Sequence, residues 1–321
     1  IAWTRQVSVT SIICGVDVCA AWLDAQVGGK GGEFCRFENS LAGIEALAVF
    51  CRRQGVELVA MEATGGYERL AFGRLWAEGL ACAVVNPRAV RQFAEAMGLL
   101  EKTDRIDAAA IAWYAQAKRL VAQAPASETQ RKLAAVVTRL RQLTELRTMQ
   151  HNQRRLVDDP EACGSIDEML ALIARQIRGF EATILALIGS DPVWTRLDAA
   201  FRSIKGVAGR TVARLLAELP EVGTLSNKAA AKLAGLAPLA RDSGKRTGKR
   251  AVRGGRSSIR SILFVVAEVV RRHEPDFAAF HKRLTQAGKP KKVIRIALAH
   301  KLLVRLNAKA RDVRTQIQCT A

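Results

Sequence analysis

In the stretch EKTDRIDAAAIA, residues 101–112, Asp104 and Asp107 stand three apart where an apolar helical pattern begins. That spacing sets both carboxylates on one face of a helix start. Two further acids stand where a charge is poorly tolerated: Asp17 interrupts the apolar run SIICGVDV, and Glu62 ends the run VELVAME before the turn ATGGY. An unpaired charge in a strand core costs on the order of several kcal/mol. Asp17 therefore belongs at a sheet rim, facing a ligand or a positive partner. Four hard oxygen ligands drawn from three elements suit Mg²⁺ or Mn²⁺ and not zinc. A pair of such ions holds the attacking and leaving oxygens of a phosphodiester. Each acid also has a plainer reading: Asp104 as a helix cap with Thr103, Glu62 as a solvated strand end, Asp17 as a partner for a lysine.

A fifth candidate is Ser243, in RDSGKRTGKRAVRGGRSSIR, the most cationic stretch of the chain. A hydroxyl attacks phosphorus when a base or a metal takes its proton and cations neutralise the developing charge. Lys245, Arg246, Lys249 and Arg250 would supply that field, and with Arg253 and Arg256 they are the expected phosphate contacts. Lys102 and Arg105, on either side of Asp104, join them. The plainer reading is a basic, Gly-rich loop that binds phosphate without doing chemistry. GKRTGK is not a P-loop, because its glycines are one residue too close and no Ser or Thr follows Lys249. Upstream, FRSIKGVAGRTVARLLAEL has the hydrophobic–Gly–x–x–Gly–helix form of a helix-hairpin-helix clamp, with Lys205 and Arg210 at its turn. Such a turn lets backbone N–H groups approach a phosphate, although a ligand-free interhelical turn has the same form.

The elements that must position these residues change character along the chain. Residues 1–125 read as α/β. SIICGVDV, AAWLDAQVGG and GEFCRFENS are three strand patterns in succession, and SLAGIEALAVFCRRQG is a helix with Ser40 as its cap. VELVAMEATGG, YERLAFGRLWAEG and LACAVVNP then alternate strand, helix and strand, which implies a mixed sheet with helices on its faces. Residues 126–190 hold two long amphipathic helices: an antiparallel hairpin, a dimerising coiled coil, or part of a bundle within one subunit. Residues 191–321 read as mainly helical and strongly basic.

Among 321 residues, 50 Lys and Arg face 30 Asp and Glu, a net charge of +20. An excess of that size favours a polyanionic partner, nucleic acid above all. No segment reaches the ~20 apolar residues of a spanning helix, so no membrane partner is expected. RQVSVTSIICGVDVCAAWL fits a buried strand better than a signal peptide, because β-branched residues and Asp17 lie within its apolar run. Seven cysteines without CxxC pairs imply reduced thiols and a cytoplasmic setting. The absence of HExxH speaks against zinc hydrolysis.

One carboxylate on a first strand, one ending a later strand and two on a following helix is a layout similar to that of RNase H-like metal nucleases. Over nearly its whole length the chain resembles the DEDD transposases of insertion-sequence family one-ten and the related Piv DNA invertases. GVDV, MEATGGY and NP…GLLEKTDRIDA resemble their three acidic motifs, and IKGVAGRTVARLLAEL with AAKLAGLAPLARDSGKRTGKRAVRGGRSSIRSIL resembles their C-terminal domain. The resemblance implies a RuvC-like (RNase H-like) α/β domain whose Asp17, Glu62, Asp104 and Asp107 bind Mg²⁺, a coiled-coil helical region for assembly, and a mainly α-helical domain whose Ser243 forms a phosphoserine link with DNA. It further implies a homo-oligomer (dimer or tetramer) acting on element ends and target DNA, a structured non-coding bridge RNA as guide, and a nucleoid-associated cytoplasmic protein. Two rival expectations are a RuvC-like nuclease that uses water alone and a non-catalytic nucleic-acid-binding scaffold.

Overall fold

Ile13–Val18 (β1), an apolar run with one acid, is the central strand of a five-stranded sheet. Trp22–Val27 (β2) and Phe34–Glu38 (β3) follow as an antiparallel meander, since the links between them are too short for a crossover. Leu58–Glu62 (β4) and Cys82–Val85 (β5) run parallel to β1, each reached through a helix, Leu41–Arg53 (α1) and Glu68–Ala77 (α2). The resulting order is β3-β2-β1-β4-β5. Pro87–Ala96 (α3) and Asp104–Lys118 (α4) complete this part of the chain. The computed structural model describes residues 12–320 except 29, 30, 100, 102, 241, 245–247 and 249.

Side chains alternate across the sheet, so each strand feeds two cores. Cys14, Val16 and Val18 pack with Ile44 and Leu47 of α1 and with Leu75 of α2. Ile13, Leu58, Ala60 and Val85 pack on the opposite face against Val90 of α3 and Ile111 and Ala115 of α4. The mixed α/β expectation holds, with helices on both faces. α4 approaches β1 very closely: a Cβ on Gly15 would stand 2.1 Å from the Ala108 carbonyl oxygen and 2.5 Å from the Ala112 nitrogen. Only glycine in the strand and small residues on the helix allow that approach.

The chain divides into two compact units, at Ala126 and Ser127. The second unit opens with an antiparallel hairpin of Glu128–Arg154 (α5) and Pro160–Gly189 (α6), whose first turns are capped by Ser127 and Asp159. Pro192–Arg202 (α7), Gly209–Glu218 (α8), Asn227–Leu233 (α9), Ser257–His273 (α10), Pro275–Gln286 (α11) and Lys291–Thr320 (α12) follow. Between α9 and α10 stands a two-stranded hairpin, Pro238–Leu239 (β6) and Ala251–Val252 (β7). Leu133, Val137, Ile177 and Ile184 of the α5–α6 hairpin share one core with Leu215, Leu263 and Leu302. The expected division at residue 190 therefore separates helices that are buried together. Beyond the last buried layer the hairpin's apolar stripe continues as Leu146, Met149, Met169 and Leu172, all exposed. Among the described residues no helix is long and apolar enough to cross a membrane.

Candidate active site

The acids of the first unit are brought together by strand register. Asp17 pairs across β1–β2 with Asp24, and Asp24 pairs across β2–β3 with Arg36. β1 and β4 are in parallel register through Val16 and Met61, so Asp17 and Glu62 come next, side by side at the ends of two strands. By alternation Asp17, Asp24 and Glu62 belong to the face that α4 covers. Close packing of α4 at Gly15 brings its first turn to the same end. Burial raises the Asp17 carboxyl above its ordinary value, and the charges of Asp107, Asp104 and Asp24 push it in the same direction, against one backbone hydrogen bond from Val18.

Thr103 resolves the capping question. Its side chain accepts a hydrogen bond from the Ile106 N–H at 3.3 Å, so the helix is capped without Asp104. Asp104 instead accepts from Arg36 Nη2 at 2.6 Å. The same guanidinium grips the buried Asp24 through Nε at 2.7 Å and Nη2 at 3.1 Å, chiefly a response to Asp24, which raises the Arg36 pKa. Asp24 and Arg36 are the site residues that sequence reasoning missed. Their signal is present: in WLDAQV the acid alternates with the core residues Leu23 and Ala25, and a buried acid in a meander needs a cation at the paired position of a neighbouring strand.

The loop after Glu62 is firmly built. Glu68 accepts hydrogen bonds from the Thr64 and Gly66 N–H groups at 3.1 and 2.9 Å. The Asn39 amide donates to the carbonyls of Cys19 and Tyr67, tying the ends of three elements together. Arg105 is exposed and lies 5.8 Å over the Phe34 ring, while Lys102 lies outside the described residues. Among the described residues no three acids, thiols or imidazoles are gathered into a ready-made metal cage. The donor set is nonetheless all oxygen and self-repelling at Asp17, and a cation already bridges two of its acids. That chemistry fits a divalent ion.

In the second unit, Ser243 is exposed on the loop between β6 and β7. Asp242, beside it, is engaged at the neck of the loop: it accepts from the Gly248 N–H at 3.0 Å and pairs with Arg250 at 2.9 Å. Lys245, Arg246 and Lys249 lie outside the described residues. Arg253 is exposed, with no acidic partner among the described residues. Arg256 points elsewhere, holding Glu221 with both terminal nitrogens at 2.6 Å and the Glu218 carbonyl at 2.9 Å. Burial works against the Glu221 charge, but these bonds outweigh it and hold the carboxyl below its ordinary value. The loop's base is fixed by a contact that only glycine permits: a Cβ on Gly255 would stand 2.3 Å from the Gly235 nitrogen. Helix, short turn and helix are present at residues 192–218, with Lys205 and Arg210 exposed and Arg210 paired to Glu181 at 2.6 Å. The N-terminus of α8 has no side-chain cap.

Residues 14–157 match the DEDD transposase family of IS110, and residues 198–282 match a family described as "Transposase IS116/IS110/IS902 family". The chain is 28% identical over 309 residues to the pilin gene-inverting protein of Moraxella bovis, covering 90% of this chain and 92% of that protein. The pilin gene-inverting protein of Moraxella lacunata is similar at the same identity and coverage. An uncharacterized 43.6 kDa protein of insertion element IS110 from Streptomyces coelicolor is 32% identical over 151 residues, 46% of this chain and 36% of that one. Matches on both units define a DNA-rearranging enzyme of the transposase and DNA invertase class. The chain belongs to the IS110 family and is Piv-like.

Proposed function

We propose that this enzyme cuts and rejoins DNA with Ser243 as nucleophile and a divalent metal, Mg²⁺ or Mn²⁺, held by Asp17, Glu62, Asp104 and Asp107 on a RuvC-like sheet. The observation that carries the reading is the half-buried Asp17 carboxyl, raised first by burial and then by the charges of Asp107, Asp104 and Asp24 from two other elements. Acids that repel one another at a strand end are in want of a cation. When bound, the metal would polarise the phosphodiester and stabilise its leaving oxygen. Asp104 would have to release Arg36 to take part, and Asp24 keeps that guanidinium close by as the exchange occurs.

The Ser243 oxygen bonds to phosphorus as the bond to one strand oxygen breaks, and that oxygen leaves with a proton. Attack by a strand end on the phosphoserine reverses the step and joins new partners. One phosphodiester is exchanged for another, so no energy source is needed. Arg250, Arg253, Lys245, Arg246 and Lys249 neutralise the phosphate, and Lys205 and Arg210 hold the flanking backbone with the α8 N-terminus. Arg256 is better understood as a brace for Glu221. Arg105 and Lys102 guide the strand past the acids.

Assembly into a homo-oligomer is supported by the exposed stripe of Leu146, Met149, Met169 and Leu172 at the tip of the α5–α6 hairpin. A structured non-coding RNA as guide rests on the family resemblance and on the charge of +20. The test is adduct trapping on DNA carrying candidate element ends. Wild type should form a covalent protein–DNA species on denaturing gels, and Ser243→Ala should bind DNA yet form none and cut none. Cutting by Ser243→Ala, with no adduct from wild type, would instead identify a nuclease that uses water.

A further inference from the structure

Helix α12 carries two apolar stripes where its packing requires one. Ile294, Leu298, Leu302 and Leu306 are buried in the core of the second unit. Val293, Ile296, Ala297 and Val304 form the other stripe, with the polar His300 among them, and they face a cleft of about 880 Å³. Its further walls are α11 and the β6–β7 hairpin, the same hairpin that bears Ser243. Val293 is 51% exposed there. Arg250, Arg283, Lys292 and Lys301 stand around the apolar floor, and among the described residues no acidic side chain lines it. Lys301 is anchored by Asp276 at 3.1 Å and by the Phe277 ring at 4.8 Å, and Arg283 lies 5.1 Å over Phe280. Lys292 is exposed at the mouth.

These two features together choose the occupant. Arg250 and Lys301 already have carboxylate partners, but an apolar helix or a lipid chain would cover the floor and leave Lys292 and Arg283 without an anion. A bare phosphate would satisfy the rim and leave the floor wet. A base with its own phosphate satisfies both, and the volume lies within the ~300–1,000 Å³ of small-ligand sites. A base stacked inside a duplex cannot reach such a floor. We propose that this cleft holds one unpaired nucleotide of a single strand, its base on Val293, Ile296 and Val304 and its phosphate on Lys292 and Arg283. The inference rests on the chain being a DNA-rearranging protein and needs neither the metal nor the serine reading.

The experiment is photocrosslinking of the full chain to a single-stranded oligothymidylate with one central 4-thiothymidine, to its RNA counterpart with 4-thiouridine, and to the same DNA as duplex. The single strands should give adducts on residues 280–304, about tenfold above duplex, the scale of removing about two methylene groups' worth of apolar surface from water. An adduct from either strand supports the site, and the stronger of the two names its source. Ala297→Trp, which fills the floor, should remove that adduct, and Ile296→Gln should weaken it should the tryptophan variant melt early. Adducts confined to other peptides, equal yields from duplex, or yields unchanged by both variants would overturn the proposal. So would a sedimentation shift in Ala297→Trp with the adduct intact, which would place a second copy of the chain in the cleft. No cleavage is read, so failure here leaves the roles of Ser243 and the acids untouched.

Discussion

The two units divide the charge completely. Residues 1–126 carry 13 basic and 13 acidic side chains, while residues 127–321 carry 37 and 17, so the whole excess of +20 belongs to the second unit. The neutral unit gathers its acids at the end of one sheet, and such a cluster repels a phosphate backbone. The basic unit spreads its charge over loops and helix faces. Grip on a phosphate backbone is therefore expected chiefly from the second unit, and the acidic cluster of the first can be altered without touching it.

The largest expected effect tests that separation directly. Asp107→Ala should lower strand cleavage about a thousandfold, the scale of losing a group that stabilises developing charge, while duplex binding measured by anisotropy stays within about twofold. A parallel loss of binding would mean that the acidic end of the sheet, and not the basic unit, governs the grip.

Gly15→Val attacks the neutral unit mechanically. The new side chain would meet the Ala108 and Ala112 backbone, and overpacking of this kind costs about 1–3 kcal/mol or more. Calorimetry should show an early transition for the first unit, with the transition of the second unit unmoved. A single transition shifted as a whole would show that the units melt together.

This glycine also marks where legibility in the sequence ends. The strands and helices from residue 13 to residue 85 follow from apolar runs, alternation and turn residues, and Ser40 caps α1 as its position implies. Helix α3 was missed because Asn86-Pro87 reads as a strand stop, although the same Asn caps α3 and the same Pro opens it. β6 and β7 are two residues each, too short for any period to register. At the site, chain order suggested Asp17, Glu62, Asp104 and Asp107, but Asp24 and Arg36 enter through cross-strand register, which a sequence does not display. Among the plainer readings, capping falls to Thr103, and the buried acid Asp24 is held by an arginine.

The basic unit is sharpened by salt. Duplex binding should weaken with a log–log slope of about −0.9 for each phosphate neutralised. Arg253→Ala should reduce that slope by about one phosphate, whereas Arg256→Ala should leave the slope alone and lower the melting temperature, since Arg256 is engaged with Glu221. Equal slope changes in both variants would return Arg256 to the DNA contacts.

Within the neutral unit, Arg36→Met should tighten Mg²⁺ binding several-fold by calorimetry, because Asp104 no longer has to leave a guanidinium. The same variant should be less stable without metal, since buried Asp24 loses its partner. Weaker Mg²⁺ binding would mean that Arg36 holds Asp104 in the geometry the ion needs.

The smallest effect is the most specific to the acidic end of the sheet. The Asp17 carboxyl is raised above 3.8 in the fold, first by burial and then by Asp107. The folded chain thus holds that proton more tightly than the unfolded chain does, and stability is lost as pH rises through the folded value. Asp17→Asn cannot ionise, so it should match wild type near pH 3 and melt above it at pH 7. With Asp17 only partly buried, the gap should be about 1–2 °C. Adding Mg²⁺ at pH 7 should reverse the order, because the ion relieves in wild type a repulsion that the variant no longer has. A gap that persists at low pH would trace the effect to packing around residue 17, and the electrostatic contrast between the two units would then lose its best local support.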